Sequence, residues 1–292
     1  MLPNDLQISY PQSADKKMIA DLWQESFQDS PEYVELFFNR VYQPENTLVI
    51  KRDGFIISAL QMIPYNAKFD NKIIPVAYIC GVCTHPIERG QGLMKTLISY
   101  AKLEMRQRGF LFAIVIPAEP SLFDYYRKLG FTSLIAQSVK VKSFHSYLLT
   151  ELEKEFDYII EESMYKHFPY FNYKQNERHR TILHDENDFA TILQELNCCG
   201  DKAFTALHNQ MPVGIAFVEK ISKNSLLVKE IIADNEKIQD SLYKYISVFF
   251  DVQHVKIQTS ATSINDPGYG LACNLDGISR DLHFFNMSLM HD

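Results

Sequence analysis

Residues 78–97 read YICGVCTHPIERGQGLMKTL, and residues 116–131 read IPAEPSLFDYYRKLGF. The first stretch decides the fold. It ends an apolar strand, passes through a turn containing Gly90 and Gly92, and opens a long helix. Leu93, Met94, Leu97, Ile98, Ala101 and Met105 keep helical spacing, and Gly109 supplies the stop. Glycine removes the side chain where backbone must approach a ligand closely. The N–H groups of Gly90, Gln91, Gly92, Leu93 and Met94 then converge at the helix start, where the positive end of the helix dipole makes a nest suited to a pyrophosphate. Arg89 adds a charge that can reach a phosphate. The plainer alternative is a glycine turn that only starts a helix.

Working upstream, residues 13–27 and 31–41 read as amphipathic helices, the first capped by Ser13 or Asp15 and the second started by Ser30-Pro31. Three extended segments follow, TLVIKR, FIISALQMIPYNAKF and KIIPVAYICGVCTH, turned at Asp53-Gly54 and Asp70-Asn71 into an antiparallel meander. Downstream of the long helix come a buried strand (FLFAIVIP), a short helix stopped by Gly130, and a further strand (FTSLIAQSVKVKSF). The second half begins with helical and irregular material through Arg180, then a helix at 184–196. The strands KAFTALHN, PVGIAFVEK and SLLVKEIIA follow, then a helix at 235–250 and the strand HVKIQTS. The order strands, helix, strand therefore occurs twice. The expected fold class is α/β (α+β) in two domains, 1–140 and 141–292, each a mixed, mainly antiparallel sheet flanked by helices.

The 292 residues, 46% hydrophobic and 22% charged, suit a soluble protein with two cores. A net charge of −7 without a block of Lys and Arg argues against nucleic acid as a partner. The N-terminus has no signal-peptide pattern, and no apolar run is long enough to span a bilayer. The five cysteines are odd in number and irregularly spaced, which points to a reducing compartment, the cytoplasm. Cys80 and Cys83 form a CxxC, but in a regular strand positions i and i+3 face opposite sides, and no second pair completes a metal site. No metal is expected.

The two quoted stretches together resemble the GNAT superfamily of N-acetyltransferases. The family's Q/R-x-x-G-x-G/A turn follows a V-x-x-x-P segment; here Val82-Cys83-Thr84-His85-Pro86 precedes Ile87-Glu88-Arg89-Gly90-Gln91-Gly92, with Ile87 departing from the usual Gln or Arg. Tyr126, four residues before Gly130-Phe131, matches a second family feature. The tandem arrangement, with GVCTHPIERGQGLM, is similar to the enhanced-intracellular-survival type, whose second acetyltransferase domain is degenerate. The equivalent turn in the second half, KEIIADNEKIQDSL, has no glycine, and Asp234 and Glu236 sit where phosphate would bind.

The resemblance implies acetyl-CoA as co-substrate, bound at Val82, Cys83, Thr84, Arg89, Gly90, Gln91, Gly92, Leu93 and Met94. The acetyl group goes to an amine of a small molecule or peptide by direct attack on the thioester. Tyr126 is the candidate acid for the leaving thiolate. His85, Glu119, the terminal carboxylate of Asp292 and a water chain are alternatives for the base. Tyr33, Phe37 and Phe38 are candidates for the acceptor wall or for plain core. Two rival readings keep the fold: a non-catalytic acyl-CoA sensor or scaffold, and an aminoacyl-type transferase. The acceptor, and a possible homo-oligomer, are not readable.

Overall fold

A computed structural model of the chain describes residues 5–144 and 158–291. They divide into two compact units: 5–136 with 268–284 and His291, and 137–144 and 158–267 with 285–290. The division falls after Ala136, and a late segment of the chain belongs to the first unit.

The first unit is built on a sheet in the order β1 (Leu6–Ser9), β2 (Thr47–Arg52), β3 (Phe55–Phe69), β4 (Lys72–Thr84), β5 (Phe112–Val115), β13 (Gly268–Asn274) and the start of β6 (Ser133–Ser143). All neighbours are antiparallel except β4 and β5, which run parallel because α3 (Leu93–Gln107) crosses between them. The β2–β3 and β3–β4 turns carry Asp53 (φ 50°), Gly54 (φ 82°) and Asp70 (φ 55°), the left-handed conformations that two-residue hairpins require. Helices α1 (Lys16–Phe27) and α2 (Pro31–Arg40) precede the meander, and α4 (Pro120–Lys128) follows β5. Asp15 starts α1 by accepting from the Gln12 N–H at 2.7 Å and from Lys51 Nζ at 2.6 Å. Ser30 Oγ caps α2 at the Tyr33 N–H, 3.2 Å.

The core of this unit packs the inner face of α3 (Leu93, Leu97, Ile98, Ala101, Met105) on Leu48, Ile50, Leu60, Met62, Ala77, Ile79, Ala113 and Val115. Tyr126 and Phe131 belong to the same cluster. Trp23 lies within 4.5 Å of Phe37 and 5.9 Å of Phe38, ring centre to ring centre, and its Nε1–H donates to Asp29 at 2.7 Å.

The second unit repeats this plan. Strands β9 (Lys202–His208), β10 (Met211–Ser222) and β11 (Ser225–Ala233) form an antiparallel meander; β12 (His254–Ser260) runs parallel to β11, and α7 (Glu236–Phe249) connects them. β7 (Ile159–Glu162) extends the sheet beyond β9, and residues 137–143 of β6 flank β12. Helices α5 (Phe168–Glu177) and α6 (Glu186–Cys198), with the short β8 (Arg180–Leu183) between them, precede the meander. Both units are thus mixed sheets flanked by helices, as the sequence pattern predicts.

Candidate active site

The site starts from one irregularity in β4. Its parallel pairing with β5 runs from Val76↔Phe112 to Ile79↔Val115 and stops, while β4 continues to Thr84. Residues 80–84 therefore keep β3 on one side and lose β5 on the other. On the β3 side, Ala59 faces Cys83 and Gln61 faces Cys80, so β4 carries an extra residue there, a bulge at Gly81-Val82. Gly81 has φ +57°, and a Cβ on it would sit 2.3 Å from Trp23 Cζ3. Only glycine fits, on both counts.

The bulge corrects one expectation. Cys80 and Cys83 face residues two apart on β3, so the extra residue puts them on the same side of β4, not on opposite sides. Both are buried, and burial pushes the Cys83 thiol up to about 12, which makes it a packed thiol and not a nucleophile. Among the described residues, no group of three or more His, Cys, Asp or Glu is placed to hold a metal.

Beyond Thr84 the chain passes through Pro86–Glu88 and reaches α3 by way of Gly90 (φ 81°) and Gly92 (φ 75°). Gly92 is the N-cap; no side chain caps the helix, and its first turn carries no acid. The end is left with donor groups and a positive dipole end and nothing of its own to answer them. Arg89 Nε donates to the Thr84 carbonyl at 3.0 Å, which ties the turn to the end of β4 and leaves the far guanidinium nitrogens for a ligand. That carbonyl, on one of the residues expected to bind acetyl-CoA, is thereby partly used. Ser58 Oγ fixes the next peptide by donating to the Cys83 carbonyl at 3.0 Å, and lies 2.8 Å from Thr84 Oγ1. Ile87 is 81% exposed, so its departure from the family pattern disturbs no core contact.

Tyr126 sits near the end of α4, its ring edge-on to Tyr125 (5.4 Å) and Phe131 (5.8 Å). Among the described residues its hydroxyl has no hydrogen-bond partner. Burial, and to a smaller degree the neighbouring Tyr125, push the phenol well above its ordinary value near 10. Gly130 (φ 92°) ends α4, and Lys102 of α3 caps it by donating to the Leu129 carbonyl at 2.9 Å. Tyr126, Leu93, Ile79 and Val115 share one apolar cluster, with Val82 and Met94 packed on it. Three of the predicted donor-site residues, Val82, Leu93 and Met94, therefore pack in one cluster with the predicted acid.

The base candidates separate. His85 Nε2 lies 3.7 Å from the Glu25 carboxylate, on the stretch leading to the glycine turn. Glu119 is exposed at the start of α4, accepting from Ser121 Oγ at 3.4 Å. Asp292 lies outside the described residues. Its neighbour His291 is buried in the first unit: its carbonyl accepts from the Tyr78 hydroxyl at 3.1 Å, and its ring meets Phe37 edge-on at 5.8 Å. Phe37 and Phe38 are core side chains, 0% and 4% exposed, while Tyr33 is half-buried.

Residues 7–134 match the family model of the acetyltransferase (GNAT) domain. The chain carries a GNAT acetyltransferase domain. Solved structures with the same fold include a conserved protein from Enterococcus faecalis V583 (13% identity, TM-score 0.71, covering 95% of this chain and 73% of that one). A GCN5-related N-acetyltransferase from Anabaena variabilis is similar to the same degree (15%, TM-score 0.70, 92% and 73%). Eis1 from Mycobacterium abscessus is similar at 12% identity, TM-score 0.63, covering 92% of this chain and 74% of that one. No curated protein matches the chain.

Within the GNAT domain, reading the sequence missed the partners that hold the site in shape: Trp23 against Gly81, Ser58 beneath Cys83 and Thr84, and Arg52, whose Nη1 donates to Glu88 beside the glycine turn. Glycine before a valine in an apolar strand is the one local signal that marked the bulge.

Proposed function

We propose that the chain is an acetyl-CoA-dependent N-acetyltransferase with one active site, in the GNAT domain, acting on an amine of a small molecule or peptide. The observation that carries this reading is the uncapped, acid-free start of α3 behind Gly90 and Gly92, next to the stretch 80–84 of β4 whose β5 side is open. The residues fit the donor. The α3 amides and Arg89 would receive the pyrophosphate, and the open edge of residues 82–84 would receive the pantetheine arm. A backbone N–H of that edge would polarise the thioester carbonyl.

A neutral amine attacks the carbonyl carbon, the C–S bond breaks, and the amine proton ends on the departing sulfur, giving an amide and a free thiol. A phenol above 10 is a weaker acid than a thiol near 8.5. Tyr126 therefore acts by donating a hydrogen bond to the sulfur as charge builds, and by passing a proton through, not by surrendering one outright.

The second unit fits a degenerate role. Its β11–β12 pairing also stops early, at Val228↔Ile257, but donors near the break already have partners. Glu230 Oε1 accepts the Ile231 N–H at 3.1 Å, and Asn235 Oδ1 caps α7 at the Ile238 N–H, 3.0 Å. A cleft of ≈ 410 Å³ beside it is lined by Glu177 and Glu236 as well as Lys174 and Arg178, a mixed surface that disfavours a pyrophosphate. Buried thiols at Cys80, Cys83 and Cys273 favour a reducing compartment, the cytoplasm.

The test is thiol release from acetyl-CoA across a panel of amines. Turnover that falls about 10²-fold in Tyr126→Phe, with acetyl-CoA affinity kept, supports the reading. Binding without turnover for any amine would instead favour an acyl-CoA sensor.

A further inference from the structure

The phosphate turn of the GNAT domain contains an acid. Glu88 sits one residue before Arg89 and two before Gly90, where the anionic half of the donor would lie under the reading above. A carboxylate there opposes a pyrophosphate, unless its charge is answered. It is answered from the end of β2. Arg52 Nη1 donates to Glu88 Oε1, and the pair is largely withdrawn from water, with side chains 27% and 13% exposed. The other carboxylate oxygen, Oε2, accepts from Gln91 Nε2 at 2.9 Å, inside the glycine turn. Arg52 is itself held by Asp5 through Nε at 3.0 Å, and the Glu88 carboxylate beside it raises its already high pKa. One carboxylate thus bridges a fixed cation on the sheet to the residue between Gly90 and Gly92.

We propose that Arg52 and Glu88 form a latch that sets coenzyme A affinity: Glu88 orients Gln91 and so holds the glycine turn open for phosphate, and Arg52 cancels the charge that Glu88 would otherwise present to it. Arg52 is a positioning residue that acts through Glu88. This inference rests on the donor site being where the previous section puts it. It predicts something a phosphate-contacting arginine would not show. Removing Arg52 alone leaves an uncompensated acid beside the phosphates, while removing the charge of Glu88 as well removes the penalty.

The experiment measures acetyl-CoA binding by calorimetry for wild type, Arg52→Ala, Arg52→Lys, Glu88→Gln and the double variant Arg52→Ala/Glu88→Gln. Affinity for S-acetylpantetheine, which lacks the phosphates, is measured by competition, and melting temperature confirms that each variant is folded. Arg52→Ala should weaken acetyl-CoA by roughly three- to tenfold, less at high salt, and leave S-acetylpantetheine unchanged. The double variant should recover most of that loss, and Arg52→Lys should bind nearly as wild type. A double variant as weak as Arg52→Ala, or an equal loss for S-acetylpantetheine, overturns the latch while the donor site stands. Wild type that does not bind acetyl-CoA overturns the donor site and the latch with it.

Discussion

Replacing Gly81 by alanine tests the bulge that opens β4. The added Cβ would lie 2.3, 2.8 and 3.2 Å from Cζ3, Cε3 and Cη2 of Trp23. Trp23 has no easy retreat: its indole N–H is bonded to Asp29, and Phe27, Phe37 and Phe38 surround its ring at 5.3, 4.5 and 5.9 Å. Overpacking of this kind costs about 1–3 kcal/mol. The φ of +57° adds roughly 1–2 kcal/mol for a residue with a Cβ. The expected destabilisation is about 2–5 kcal/mol, a fall of roughly 5–15 °C in melting temperature. Urea unfolding followed by Trp23 fluorescence reads this directly, since Trp23 is the one tryptophan in the chain. Gly81→Ala/Trp23→Leu should lose less than the sum of the two single changes, because the clash vanishes and only the backbone strain remains. A Gly81→Ala protein within about 0.5 kcal/mol of wild type would refute the argument, since neither the ring contact nor the left-handed backbone could then be as described.

Two further outcomes concern groups away from the turn. In the second unit, burial alone would raise the Glu230 carboxyl, but Arg178 (2.7 and 2.9 Å), Ser288 and Asn286 outweigh it and hold it below its ordinary value. A depressed folded value gives stability that is complete above the unfolded value near 4.3 and is lost as the pH falls through the folded value. Glu230→Gln should therefore flatten the acid limb of stability against pH, and Glu230→Ala should cost about 3 kcal/mol by leaving Arg178 unanswered, both read by unfolding between pH 3 and 7. A chromogenic thiol reagent should reach Cys198 and Cys199 in the folded protein, Cys199 slowly because burial and the adjoining Cys198 push its thiol up to about 12, with Cys80, Cys83 and Cys273 reacting only on unfolding. Fast labelling of Cys83 would contradict its burial.

How much of this was legible depends on the range of the interaction. The long helix behind Gly92, its stop at Gly109, and the hairpin turns at Asp53-Gly54 and Asp70 are local patterns, and periodicity and turn chemistry suffice to read them. Strands β1, β7 and β8 have four residues each, too few for a period to show. The return of β13 to pair with β5 and β6 is a pairing across more than 130 residues, which no window along the chain records. At the site, the residue types of the turn were readable because glycine is demanded by backbone conformation. The bulge was not: it depends on a register with β3, and it reversed the expected facing of Cys80 and Cys83. The Arg52–Glu88 pair spans 36 positions and has no sequence signature.

The proposed function gives the chain one donor site, at the start of α3. Calorimetric titration of acetyl-CoA into wild type, Gly92→Ala and Gly92→Glu tests it most directly. A Cβ at Gly92 meets nothing within 4 Å, so alanine introduces only the strain of φ +75°, whereas glutamate adds a charge where phosphate would bind. One-to-one binding is expected in wild type, weakened in Gly92→Ala and abolished in Gly92→Glu. Two sites per chain, or binding indifferent to Gly92→Glu, would contradict it.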